Sequence, residues 1–156
     1  MFYFAVCVQF IIQAIWQLRE RVNEANMVSG IVYKYDISLP LDSYYDIVLD
    51  VRERLGSLAT AVVGYGHVGD GNLHLNIVVP SQNEEVRKLL EPYVYEWTAK
   101  RKGSISAEHG LGFNKKNYIH YSKSKAAVDL MRRMKKLMDP QGILNPYKTI
   151  PMESTE

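Results

Sequence analysis

Cysteine is almost missing from this chain, which holds a single one, Cys7. An internal disulfide is therefore excluded, and a reducing compartment fits. Cys7 has neither a cysteine partner nor a nearby histidine, and we assign it no role. Charge of one sign is also lacking, since 19 basic residues face 17 acidic ones for a net charge of +2. That balance points to no nucleic-acid or strongly acidic partner. No apolar run reaches the length of a membrane span. Met1 to Trp16 is uncharged, broken by Gln9 and Gln13, but too short to cross a bilayer with assurance. It lacks the basic start of a signal peptide and the Arg- and Ser-rich character of a transit peptide. We read it as an atypical start left by truncation or alternative splicing. Repeats and low-complexity linkers are missing too, and 156 residues, 47% of them hydrophobic, suit one ordinary core.

What is present centres on Gly64 to Asn76, GYGHVGDGNLHLN. His67 and His74 flank a glycine-rich turn, Gly69-Asp70-Gly71. Beyond the turn, Asn72, His74 and Asn76 fall on one face of a strand and Leu73, Leu75 and Ile77 on the other. A hairpin brings His67 on one arm toward His74 on its neighbour. Two neutral imidazoles so placed suit a divalent metal such as zinc, with a carboxylate or thiolate as third ligand. Glu108, in Ser106-Ala107-Glu108-His109-Gly110, is the candidate, and a His-His-Glu set leaves a position open for catalysis. His109 then serves as a neighbouring base, provided the chain turns there, for which Gly110 gives room.

The remaining pattern predicts the elements around this centre. A helical pattern over Ile12 to Ala25 places Ile12, Ile15, Trp16 and Val22 on one side, with Arg19 on a solvated face. Gly30 to Leu39 alternates as a strand, in which Lys34 shares a face with Asp36 as a solvent-side ion pair. Leu41, Tyr44, Tyr45, Val48, Val51 and Leu55 give a helix that Gly56 stops, with both tyrosines in the core. Thr60 to Val68 and Asn72 to Val79 form the hairpin. Ser81 to Glu84 reads as a capping box opening a helix that Pro92 kinks or divides. Ser104 to Glu108 is a short closing strand. Asn114 to Lys125 is a basic connection, Lys125 to Met138 an amphipathic helix with a solvated basic face, and Ile143 to Lys148 an extended tail. Strand, helix, strand, strand, helix, strand is the split βαβ order. We expect an α+β, ferredoxin-like antiparallel sheet with helices on one face and its polar face left for a ligand. Residues 1–29 form the apolar start and helix, 30–110 the ferredoxin-like substrate and metal domain, and 111–156 the last helix and tail.

GHVGDGNLHLN, SAEHGLG and the closing PQGILNPYK resemble the C-terminal part of flavin-linked 2-hydroxyacid dehydrogenases, within the vanillyl-alcohol-oxidase-like flavoproteins. The runs VYKYDISLP with YDIV, and EPYVYEWTAKRKGSISAEHG, narrow the resemblance to mitochondrial members acting on dicarboxylic 2-hydroxyacids. It covers about Ile15 to Pro151. The family's flavin-binding domain lies N-terminal to such a region, so these residues alone are expected to give no turnover.

The resemblance implies metal ligands His67, His74 and Glu108, with His109 as the general base. It makes Arg19 and Lys34 partners of the distal substrate carboxylate and Asn76 a substrate hydrogen-bond donor. Asn23 stands where the family's helix has a threonine one turn after the arginine, and its amide can also donate, which leaves the choice of substrate open. Asn145 is implied as a flavin neighbour. The implied cofactors are FAD and zinc or a similar divalent metal. The implied setting is the mitochondrial matrix, with electron-transfer flavoprotein as electron acceptor. Two other classes stay open: a metal- and carboxylate-binding module without catalysis, and an inert truncated isoform.

Overall fold

The computed structural model describes residues 2–151, with side chains from residue 8 onward. Cys7, the first part of the apolar start and residues 152–156 lie outside the described side chains. Nothing in the stretch before Gly30 breaks a helix. Accordingly α1 runs over Phe2–Ser29, well beyond the expected Ile12 to Ala25. Its apolar stripe does not make a core: Ile12, Ile15 and Trp16 are exposed, while Asn26 is buried. Strand β1 follows at Ile31–Ser38.

The next stretch is interrupted where one helix was expected. A 3-10 turn over Leu41–Ser43 leads into α2 at Asp46–Leu55, which stops at Gly56 with φ of 50°. Tyr44 packs against the core and its hydroxyl donates to the Asn72 carbonyl at 2.6 Å, whereas Tyr45 is exposed. Strands β2, Ala61–His67, and β3, Asn72–Val79, form the expected hairpin. Gly71 turns it with φ of 75°. Helices α3, Glu84–Leu90, and α4, Tyr93–Lys100, are divided at Pro92. The expected capping box is replaced by a nearer cap, because the Asn83 side chain accepts from the Glu85 N–H at 2.8 Å. After a 3-10 turn over Lys116–Tyr121 comes α5, Lys125–Met138, capped by Ser124. Val128 of α5 is buried, while Leu130, Met134, Leu137 and Met138 stay exposed.

The sheet is antiparallel throughout, in the order β1-β3-β2. Helix and strand in this mixture make an α+β fold. The expected fourth strand is reduced to one antiparallel bridge, Ser38 to Ser104, beside β1. Past that bridge the chain turns away from β1. One face of the sheet is apolar. Ile37, Leu73, Leu75 and Ile77 are wholly buried there against Val48 and Val51 of α2, Val86 and Leu90 of α3, and Val94 of α4. Each such side chain contributes about 1.5–3 kcal/mol by leaving water. The opposite face is polar, and the C-terminal half of α1 reaches it. Among the described residues no helix is long and apolar enough to cross a membrane.

Candidate metal and substrate site

The polar face is set by register. Asp36 stands opposite His74 across β1 and β3, Lys34 opposite Asn76, and Tyr65 of β2 opposite His74 on its other side. His67 ends β2 opposite Asn72, so His67 and His74 lie on one face, with ring centroids 5.5 Å apart. Strand alternation and the turn at Gly71 are enough to bring them together.

The segment that follows the Ser38–Ser104 bridge completes the cluster. Asp36, whose side chain is 0% exposed, accepts at a single oxygen, Oδ2, from three successive amides. These are the N–H groups of Ala107 at 2.9 Å, Glu108 at 2.8 Å and His109 at 2.8 Å. A strand presents successive amides in opposite directions, so an extended chain cannot make this contact. The chain curls around the carboxylate instead, which is why the fourth strand ends as a bridge. The curl sends Glu108 and His109 to the same side. The His109 ring stacks on His74 at 5.4 Å between centroids and 14° between planes.

Three imidazole Nε2 atoms converge on one oxygen, Glu108 Oε1: His74 at 3.3 Å, His67 at 3.8 Å and His109 at 3.8 Å. His74 is recessed, at 12% side-chain exposure, whereas Glu108, His67 and His109 are about half exposed at 50%, 49% and 57%. The cluster thus has a buried floor and an accessible rim. Ligand atoms about 2.0–2.2 Å from a tetrahedral zinc stand roughly 3.3–3.6 Å apart. The His74-to-Glu108 separation of 3.3 Å is of that size, while His67 and His109 stand farther from Glu108 at 3.8 Å; the donor types, imidazole and carboxylate, are those a divalent cation takes. Donor atoms of Asp36, His74, Glu108 and His109 lie within 4.8 Å of one another, a group that does not include His67. Asp36, however, is fully buried and holds the backbone through Oδ2, so it sits behind His74 rather than on the rim.

Burial alone would raise the Asp36 carboxyl, but the amides of His109 and Glu108, with the charges of His109 and Lys115, hold it below the usual range. Burial lowers the His74 imidazole and outweighs the opposing pull of Asp36 and Glu108. The shift favours the neutral imidazole, the form that donates a lone pair to a metal.

Arg19 of α1 reaches the cluster from above the sheet. Its Nη2 donates toward His67 Nε2 at 3.4 Å, and its guanidinium lies 5.6 Å from the Tyr65 ring centre. Asn23 lies one turn further along α1, half-buried. Buried Asn76 donates to the Tyr65 hydroxyl at 3.5 Å. Lys34 shares the face but is exposed, with Nζ 3.8 Å from Met27 Sδ of α1. It does not pair with Asp36, whose carboxylate faces inward to the 106–109 turn; the solvent-side ion pair expected from alternation is not formed. Asn145 stands apart in the tail, where its Oδ1 accepts from Lys148 Nζ at 2.8 Å.

Sequence reasoning missed Asp36 and Tyr65. The alternation in β1 does put Asp36 on the Lys34 face, but only the pairing of β1 with β3 sets that face beside His74, and pairing is not written in one strand.

The profile of the family described as "FAD linked oxidases, C-terminal domain" matches residues 10–149. The mitochondrial D-2-hydroxyglutarate dehydrogenase of Danio rerio is 62% identical over 140 residues, 90% of this chain and 26% of that protein. The protein of the same name from Arabidopsis thaliana is 60% identical over 136 residues, covering 87% of this chain and 24% of the relative. The D-2-hydroxyglutarate–pyruvate transhydrogenase of Saccharomyces cerevisiae is 48% identical over 145 residues, 87% of this chain and 29% of its own length. The chain thus spans about a quarter of the length of these relatives.

Proposed function

The chain belongs to the FAD-linked oxidases, as their C-terminal domain, and from that premise we propose that it binds substrate and metal for the oxidation of a D-2-hydroxyacid. The substrate we assign is D-2-hydroxyglutarate, the product 2-oxoglutarate. One observation carries the reading: three imidazole Nε2 atoms meet one carboxylate oxygen within 3.3–3.8 Å, beneath an arginine.

His67, His74 and Glu108 would hold the divalent cation, zinc or one of similar preference. When bound, the cation supplies Lewis-acid polarisation, lowering the pKa of the substrate's C2 hydroxyl. His109, beside the ligands and half exposed, takes the hydroxyl proton as general base on its ring nitrogen. Bound FAD supplies the acceptor for the hydride leaving C2. The proton and the hydride together account for the two electrons and two hydrogens lost by the alcohol. Arg19 would turn from His67 to the distal substrate carboxylate, joined there by Lys34, and this pair of cations selects a dicarboxylic acid. Asn76 and Asn23 would hydrogen-bond the substrate from the sheet and from α1. Asn145 would lie near the flavin. The resemblance extends the proposal to the mitochondrial matrix and to electron-transfer flavoprotein as acceptor.

Zinc titration of the purified chain against His67→Ala and Glu108→Ala tests the reading. Near-stoichiometric binding abolished by both substitutions is expected, with no reduction of added flavin by D-2-hydroxyglutarate from these residues alone. Zinc binding unaffected by either substitution would remove the assigned ligands.

A further inference from the structure

Asp36 has two carboxylate oxygens in two different situations. Oδ2 is saturated by the Ala107, Glu108 and His109 amides, with the Ser106 hydroxyl at 3.4 Å. Oδ1 is buried without a hydrogen-bond partner. Across the β1–β3 pair, His74 Nδ1 is likewise buried and without a partner. The two atoms face one another at 3.7 Å. A buried acceptor and a buried ring nitrogen, each otherwise unmatched, complement one another if the nitrogen carries a proton.

We propose that Asp36 is the positioning residue of this site: it fixes His74 in the tautomer that carries its proton on Nδ1, leaving the Nε2 lone pair aimed at the rim, while its other oxygen fastens the turn that carries Glu108 and His109. One carboxylate thereby orients a ligand on the sheet and a ligand and a base on the turn. An outer carboxylate behind a ligating histidine sets the tautomer and raises the basicity of the ring. The consequence for metal binding rests on the function proposed above; the tautomer itself does not.

The experiment begins on the metal-free chain, labelled with nitrogen-15, by long-range proton–nitrogen correlation at roughly pH 8, above the usual imidazole range. His74 is expected to show a protonated Nδ1 and an unprotonated Nε2. Asp36→Asn is the informative variant. Its amide oxygen still accepts from the turn, but its Nδ2 presents a donor to His74 Nδ1, which forces the proton to Nε2. The variant should melt as one cooperative unit, show the opposite His74 tautomer, and bind zinc about 10–100-fold more weakly. A wild-type His74 protonated on Nε2, or a tautomer that Asp36→Asn leaves unchanged, would overturn the proposal. Should the variant not fold, the wild-type spectrum still decides. If the tautomer switches but neither chain binds zinc, Asp36 keeps its positioning role and the metal reading is what fails.

Discussion

Gly103→Ala tests how the 107–109 turn is held against the sheet. A methyl group at this position would overlap the Ser38 carbonyl oxygen and lie 2.9 Å from Thr98 Cγ2 and 3.1 Å from Leu39 Cδ2. The first neighbour is backbone of β1 and cannot rotate away, and Thr98 and Leu39 are both buried. Relief must come from the segment lifting off β1. Lifting breaks the two bridge hydrogen bonds, Ser38 N–H to Ser104 at 2.9 Å and Ser104 N–H to Ser38 at 3.0 Å. At about 0.5–1.5 kcal/mol each, their loss comes to about 1–3 kcal/mol. Replacing a flexible glycine returns roughly 0.4–1 kcal/mol through the unfolded chain, so the expected net destabilisation is about 1–2 kcal/mol. For a chain of this size that lowers the melting temperature by roughly 2–8 °C. The functional effect should be larger than the thermal one, because Glu108 and His109 ride on the same segment. Calorimetric melting and zinc titration of wild type and Gly103→Ala check both. A variant with unchanged melting and unchanged zinc affinity would refute the claim that this approach of backbone to backbone positions the site.

Arg19→Ala should leave zinc binding intact but weaken binding of 2-hydroxyglutarate to the zinc-loaded chain by about 10–100-fold, the loss of a hydrogen bond to a charged group. Isothermal titration separates the two ligands. Ile77→Ala, in the middle of the central strand and wholly buried, should lower unfolding free energy by about 2–5 kcal/mol in a urea titration. The Asp139 carboxyl is held below its usual range by Lys135 and by the amides of Leu144 and Ile143. Its stabilisation of the tail is therefore present above the unfolded carboxyl range and lost as pH falls through the lower folded value. Protection factors at Ile143 and Leu144, taken relative to the intrinsic exchange rate at each pH, should fall on acidification, and Asp139→Asn should remove that dependence.

Local chemistry made much of this fold legible. The period-two pattern from Asn72 to Val79 sets both the buried row Leu73-Leu75-Ile77 and the polar row Asn72-His74-Asn76. Gly56 and Gly71 mark their turns because each takes a positive φ. Helix length was less legible: Ile12, Ile15 and Trp16 form a stripe, yet in α1 they face solvent, since periodicity reports a face and not what covers it. The sites at Ser81 and Ser104 fail for a shared reason. A side chain close in space, Asn83 in one case and Asp36 in the other, offers the backbone a better acceptor than the pattern implied. Lys34 and Asp36 show the limit of alternation most clearly, because of two residues on one face of one strand the first meets solvent and the second is buried under the 107–109 turn.

The loss of the fourth strand and the making of the site are one event. In an extended Ser104 to Glu108, Glu108 and a following His109 would point to opposite sides of the sheet, and one of them would be lost to the cluster. Burying a bare carboxylate at position 36 would be strongly unfavourable without compensating donors. Three amides supply that compensation only if the chain curls, and the curl turns both side chains toward His74. Substituting Asp36 by an apolar residue of similar size would remove the reason to curl. The segment would then be free to pair along β1 as a regular strand. The sheet would lengthen, and the convergence of three imidazoles on Glu108 would be lost.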